Sequence, residues 1–405
     1  MLKRIAVQNL RQGMYVHEIC GSWLEHPFWR TAFLLEAQKD LRDIIGCGIS
    51  EVWIDTTKGL DVEGGQAQAE SDASVEATLA KADEPLVLER VSMGQEMARA
   101  ARICAKAKTA VKSMFREARL GKALDAADAL PLVEQISDSV MRNPGAIISL
   151  ARLKTKDDYT YMHSVAVCAL MVALARKLDL SPEETRQAGL AGLLHDIGKM
   201  DIPGHILNKP GRLTDKEFDT VKHHPVSGHR LLLAGKGVDA VALDVCLHHH
   251  EKMDGSGYPD RQSGENISFF ARMGAVCDVY DAITSDRVYK AGWQPAEALR
   301  KMAEWQKGHF DEAIFQAFVK SVGIYPVGSL VKLESGRLGV VVDQSEKSLL
   351  YPKVRIFFSA RRRAYLPVEL LDLSWPGCND RITGREDPAT WGFKDLDKYW
   401  REPGG

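Results

Sequence analysis

Hydrophobic positions along this 405-residue chain change period twice. Up to about residue 60, short alternating apolar runs at 4–7, 14–17 and 50–55 predict strands, with a helical stretch over 33–45 between them. Over 61–84 large apolar side chains almost vanish among Glu, Asp, Ala, Gln, Ser and Gly. Such a segment cannot bury enough surface to offset its ordering entropy, so it reads as a flexible acidic linker. A long helical pattern follows over 86–122, its large apolar residues irregularly spaced on an Ala-rich background, as suits packing against another helix or subunit. A second helix over 129–142 is stopped by Asn143, Pro144 and Gly145.

The helical period then continues for some 170 residues. One predicted helix carries His163 and runs to about 178. Ser181, Pro182 and Glu184 open the next with a capping box, and it carries His195 and Asp196 near its end, where Gly198 breaks it. Thr214 and Glu217 open a helix leading to His223 and His224. Another, from about 238, delivers His248, His249, His250 and Glu251 into the glycine-rich loop 254–259. A further helix from 268 or 269 brings Asp278 and Asp281, and Pro295 starts one more. Beyond 329 the period returns to two, over 329–334, 338–343 and 354–358, which predicts a small β module with a less regular Trp-containing end. The fold class is therefore mainly α. A helical bundle over 146–323 is flanked by a small α+β domain (1–60), the linker (61–84), a helical connector (85–145) and a β module with its tail (324–405).

Composition narrows the partners. Charged residues make up 27% and the formal net charge is −2, so there is no general attraction to nucleic acid or an anionic membrane, and phosphate binding must be local. Seven scattered cysteines without a CxxC pair argue for reduced thiols and a cytoplasmic setting. The N-terminus lacks an apolar signal core, and no membrane span is expected, since the longest apolar run, 165–175, is short. The aromatic cluster of Trp23, Phe28, Trp29 and Phe33 reads as the core of the first domain, and the Arg361-Arg362-Arg363 run as a solvated loop.

Histidine distribution is the strongest chemical signal. Nine of twelve histidines fall between His163 and His250. Imidazole and carboxylate are ligands for borderline divalent metals, and His163, His195, Asp196, His224, His249, His250 and Asp278 are the candidates. Seven ligands exceed what one ion with an open position needs. They suit two ions bridged by Asp196, a clamp for in-line displacement at phosphorus in which a bridging hydroxide is the nucleophile. His223 and His248 sit beside better candidates. His17, His26, His205, His229 and His309 are assigned to the ordinary hydrogen-bonded core. Lys199 is placed to stabilise phosphoryl oxygen charge, and Arg287 and Lys290 add positive charge for an anionic phosphodiester.

These motifs, His195-Asp196-Ile197-Gly198-Lys199, His249-His250-Glu251, the loop 254–259 and the run 278–289, make the chain resemble the HD-GYP branch of the HD phosphohydrolases, which cleaves cyclic di-GMP. Residues 1 to about 60 resemble the small domain often found N-terminal to such modules in proteobacterial proteins. The resemblance implies an HD-type bundle, and the seven residues above as metal ligands. Asp196 and Lys199 are then catalytic, and Gly257, Tyr258, Pro259 and Arg287 line the substrate pocket beside Lys199, with Lys290 a further substrate contact. Iron or manganese is implied; the ligand set alone also accepts zinc, nickel or cobalt. Some members hold a third metal through a Glu one turn before the first His; that position is Tyr159, so two metals are expected. The product would be pGpG, with further cleavage to GMP as an extension. Diguanylate cyclase (GGDEF) proteins and a second copy in a homodimer are the partners to consider beside cyclic di-GMP. Two alternatives are a cyclic-dinucleotide sensor or adaptor with little turnover, and a hydrolase of another cyclic dinucleotide such as cyclic GMP-AMP.

Overall fold

The computed structural model describes residues 1–20, 32–46, 51–68, 70, 90–153, 159–207, 209, 213–285, 292–345 and 348–401. The chain divides into two compact units, Met1–Val87 and Leu88–Gly405.

In the first unit, β1 (Leu2–Ala6), β2 (Tyr15–Cys20), β3 (Phe33–Leu34), β4 (Glu51–Asp55) and β5 (Gln66–Ala67) form one sheet in the order β3-β2-β4-β1-β5. Helix α1 (Gln38–Gly46) supplies Ile44 to a core of Ile5, Val7, Leu10, Met14, Val16, Leu35, Val52 and Ile54. The helix expected from residue 33 begins only at Gln38. Ahead of it the chain is extended, because Leu35 bonds back to residues 13 and 14 (Leu35 N–H to the Met14 carbonyl, 2.9 Å; Gly13 N–H to the Leu35 carbonyl, 2.8 Å) and buries its side chain. Phe33 packs on this core; Trp23, Phe28 and Trp29 lie outside the described residues. Part of the segment read as linker is a strand here. Gln66 and Ala67 pair with Arg4 and Lys3, and Lys3 also holds Asp61 at 2.8 Å.

The second unit opens with α2 (Met93–Arg119), α3 (Leu130–Arg142) and α4 (Pro144–Arg152). The buried stripe of α2 is Met97, Ala100, Cys104, Ala107, Val111, Phe115 and Ala118, a regular three-and-four spacing packed into the chain's own core. Large residues alone look irregular because small ones occupy half the stripe, while Leu120 is exposed. Glu96, fully buried on α2, accepts from Ser139 Oγ (2.8 Å) and from Arg142 Nε and Nη2 (2.8 and 2.9 Å), which ties α2 to α3.

Around α5 (Tyr159–Lys177) pack α6 (Pro182–Leu194), α11 (Phe269–Thr284), α13 (Glu312–Val322) and α2 to α4. Between α6 and α11 come the short α7 (Gly204–Leu207), α8 (Asp215–Val221), α9 (His224–Leu233) and α10 (Ala240–His248), and α12 (Pro295–His309) precedes α13. Every residue of α5 from Met162 to Ala175 is buried, so the helix is apolar all round except at His163 and Ser164. It is also the one helix among the described residues long and apolar enough to cross a membrane, and it serves as the core of this bundle.

The C-terminal sheet, β6 (Leu330–Leu333), β7 (Arg337–Asp343), β8 (Lys353–Ser359), β9 (Ala364–Asp372) and β10 (Ile382–Arg385), is antiparallel in the order β10-β6-β7-β8-β9. Leu338, Val340, Val342, Phe357 and Phe358 join the helical core together with Trp400. Val331, Leu333, Val341, Val354 and Ile356 on the opposite face close a small core of their own. The short α14 (Pro388–Trp391) and α15 (Lys398–Arg401) end the chain, and Arg361 to Arg363 form the exposed β8–β9 turn.

Candidate metal centre

Five segments converge on one buried point. Ser181 starts α6 as expected, its hydroxyl accepting the Glu184 N–H (3.2 Å) while Glu184 accepts the Ser181 N–H (2.8 Å). The helix stops at Leu194, and His195 and Asp196 lead into a 3-10 turn, Ile197–Asp201, that swings both side chains inward. Gly192 lets α6 approach α5 closely, since a Cβ there would lie 2.9 Å from the Val167 carbonyl oxygen. Gly198 does the same for α9: a Cβ at 198 would collide with the His224 carbonyl oxygen and the Gly228 nitrogen. The helix expected to lead into His223 and His224 ends at Val221 instead, and His224 begins a new one, with Pro225 in its first turn.

All seven candidate ligands are brought together in two clusters, His163–His195–Asp278 and His224–His249–His250, with Asp196 between them. Its Oδ2 faces His163 Nε2 (3.3 Å) and His195 Nε2 (3.5 Å); its Oδ1 faces His224 Nε2 (3.2 Å) and His249 Nε2 (3.9 Å). Asp278 Oδ1 lies 2.9 Å from His163 Nε2, and Asp278 Oδ2 lies 3.8 Å from His250 Nδ1. Lys199, one turn beyond Asp196, ion-pairs with it.

Tautomers follow from what holds each ring. His195, His224 and His249 donate Nδ1–H to the carbonyls of Gly192 (2.8 Å), Val221 (2.9 Å) and Val245 (3.0 Å), and so turn the Nε2 lone pairs toward Asp196. Burial and neighbouring imidazoles push His249 well below its ordinary pKa, and burial pushes His250 down to about 3. Both are therefore neutral at physiological pH. Burial disfavours the Asp196 anion, yet Lys199 and the surrounding imidazoles hold the carboxyl well below the usual range. Asp196 Oδ1 is buried with no hydrogen-bond partner among the described residues. A buried ionised oxygen without a donor is costly, and one aimed between two Nε2 lone pairs fits a cation. The donor set and this orphaned oxygen both suit a divalent metal site.

The loop carrying Gly257, Tyr258 and Pro259 caps one side. Gly257 lies against the backbone of His250 and Glu251, the Tyr258 N–H donates to the His250 carbonyl (3.3 Å), and the Tyr258 ring lies 4.8 Å from that of His250. Arg287 and Lys290 lie outside the described residues.

Three nearby residues contact the centre without having been assigned to it from the sequence. Asp281 accepts from His163 Nδ1 at 2.5 Å, and the only prior hint was its i+3 spacing from Asp278. Glu251 is buried and accepts the Asp260 N–H (2.7 Å), which pins the loop end. Tyr159 stacks parallel to His163 at 6.0 Å between ring centroids. The histidines assigned to the core are not buried: His205 is exposed, and His17, His229 and His309 are half-buried. Polar neighbours and surface positions suffice for them, as for His248 between Asp244 (2.7 Å) and Asp260 (3.1 Å). His26 lies outside the described residues.

The comparisons with known proteins agree with this centre. A model of an HD domain matches residues 136–314, and one of a domain of unknown function, DUF3391, matches residues 2–129. The chain is 57% identical over 401 residues to a cyclic di-GMP phosphodiesterase of Pseudomonas aeruginosa, covering 99% of this chain and 96% of that one. It is 38% identical over 189 residues to a cyclic di-GMP phosphodiesterase of Vibrio cholerae, 43% of this chain and 38% of that one. A 3'3'-cGAMP-specific phosphodiesterase of the same organism is 34% identical over 181 residues, 43% of this chain and 42% of that one. With its clustered His and Asp side chains, its HD domain and a relative matched along almost the whole length, the chain belongs to the HD-GYP family of cyclic di-GMP phosphodiesterases.

Proposed function

We infer that this protein is a metal-dependent phosphodiesterase that hydrolyses cyclic di-GMP to the linear dinucleotide pGpG. The observation that carries the reading is Asp196, whose two carboxylate oxygens face two separate clusters of imidazole and carboxylate donors. That arrangement supports two divalent ions, iron or manganese by family likeness. When bound they supply a water of lowered pKa as nucleophile and a Lewis acid for the phosphoryl oxygens.

The chain's own residues do the rest. His163, His195 and Asp278 would hold one ion and His224, His249 and His250 the other, with Asp196 shared. The Lys199 ammonium sits at the rim, 20% exposed, where it can follow charge from Asp196 onto a phosphoryl oxygen as the pentacoordinate state forms. Tyr258, on the His250 ring, offers an aromatic face beside the centre for a guanine base. Gly257 and Pro259 shape the same wall, Arg287 is assigned to a phosphate contact by the family pattern, and Lys290 to the substrate by its positive charge. Residues 146–323 would form the catalytic domain, with the N-terminal unit regulatory.

The test is chromatography of cyclic di-GMP incubated with the metal-loaded full-length protein and with Asp196→Ala. The reading expects pGpG from the wild type, with both turnover and bound metal lost in the variant. Turnover unaffected by Asp196→Ala would sink it. An equimolar mixture with cyclic GMP-AMP reports base choice in the same run.

A further inference from the structure

Of the four candidate-ligand imidazoles whose Nδ1 is anchored, three are held by a backbone carbonyl within four residues of their own position. His163 differs. Its Nδ1–H points at a carboxylate from another helix, Asp281 Oδ2 on α11, at 2.5 Å. The same helix presents Asp278 Oδ1 to Nε2 of that ring at 2.9 Å. Residues three apart on a helix share a face, so α11 grips one imidazole at both nitrogens, with a candidate ligand on one side and Asp281 on the other. Asp281 is 2% exposed and is itself braced, since Ser285 Oγ donates to its Oδ1 at 3.4 Å and the Ser285 N–H to its carbonyl at 3.1 Å.

We propose that Asp281 is a positioning residue of the metal centre, holding His163 by Nδ1 and setting the affinity and ligand field of the half built from His163, His195 and Asp278. A carboxylate behind a ligating imidazole fixes the tautomer, locks the ring plane and increases the donor strength of Nε2, whereas a backbone carbonyl does the first two with less charge. The two halves are therefore unequal by construction. One has two carboxylates and a carboxylate-backed imidazole; the other has three imidazoles and the shared Asp196. Asp281 touches neither a candidate ion nor substrate and acts only through His163.

The proposal rests on His163 being a ligand, and the test separates the two ideas. Cobalt(II) is titrated into metal-free full-length wild type, Asp281→Asn and His163→Ala, and both uptake and the visible ligand-field bands are followed. Asp281→Asn keeps an oxygen for Nδ1–H but loses the charge. It is expected to weaken one of two cobalt equivalents by about 10- to 100-fold and to shift the bands of that ion alone, while His163→Ala abolishes that equivalent. Wild-type uptake and bands in Asp281→Asn, with His163→Ala impaired, would overturn the proposal alone. Wild-type uptake in both would overturn the assignment of His163 as well. Should Asp281→Asn fail to fold, the zinc-loaded wild type still decides: the proposal requires a far-downfield, exchange-protected His163 Nδ1 proton in its NMR spectrum, and absence of that proton overturns it.

Discussion

At the scale of single residues, Asp196 and Lys199 divide the work. Asp196 is buried and ionised with one oxygen lacking a donor, which suits it to a cation. Lys199 is the group that compensates it in the metal-free protein and sits nearer solvent. Lys199→Ala is therefore expected to retain its metal while kcat falls by about 10²- to 10³-fold, the usual effect of removing one group aimed at developing oxyanion charge. Elemental analysis and steady-state kinetics check the pair of results, and a loss of metal would mean that Lys199 holds the site together instead. The seven candidate ligands could be read from the sequence because imidazoles concentrated in so short a span seldom serve one purpose. Asp281 and Glu251 could not, because a carboxylate that orients a histidine or pins a loop is identified only by what it touches.

At the scale of elements, capped helix starts were legible and helix approaches were not. Ser181 and Thr214 announce α6 and α8 through their capping boxes, a purely local signal. Gly198 reads locally as a helix breaker, yet in the fold it is the point where the His195–Asp196 turn meets the start of α9. Both descriptions hold; only the second explains how His224 reaches Asp196. Gly198→Ala should displace α9, costing about 1–3 kcal/mol of stability by overpacking and loosening the His224–His249–His250 cluster. Thermal unfolding and metal content measure the two effects, and an intact second equivalent in that variant would contradict the role given to this contact. The α2 stripe was obscured for a related reason: Ala100, Cys104 and Ala107 pack as closely as large residues do, but a count of large apolar positions passes over them. Strands β9 and β10 were missed because β9 is mostly exposed and carries no clean alternation.

At the scale of the whole molecule, metal binding must be linked to protons, and unequally across the centre. Burial lowers the His163 pKa, but Asp196, Asp278 and Asp281 overcome that and raise it to about 10, so the metal-free protein carries a proton there at neutral pH. His250, lowered to about 3, and His249, well below its ordinary value, carry none. A raised pKa means the proton stays until pH climbs through 10. An ion entering the His163 cluster below that pH must expel it, and its affinity should rise with pH. The lowered pair stays neutral down to acid pH, so His249 and His250 give up no proton to an entering ion. Metal uptake in weakly buffered solution at pH 7, followed with a pH electrode, should release about one proton for the ion at the His163 cluster. Metal uptake without proton release would contradict the protonated His163.

The most direct measurement is turnover of cyclic di-GMP as metal is added back stepwise to the metal-free protein under anaerobic conditions. Two clusters sharing Asp196 predict that the first equivalent binds with little cleavage and that pGpG formation rises with the second, levelling at about two ions per chain. Full activity at one equivalent, or cleavage in the rigorously metal-free protein, would contradict the account.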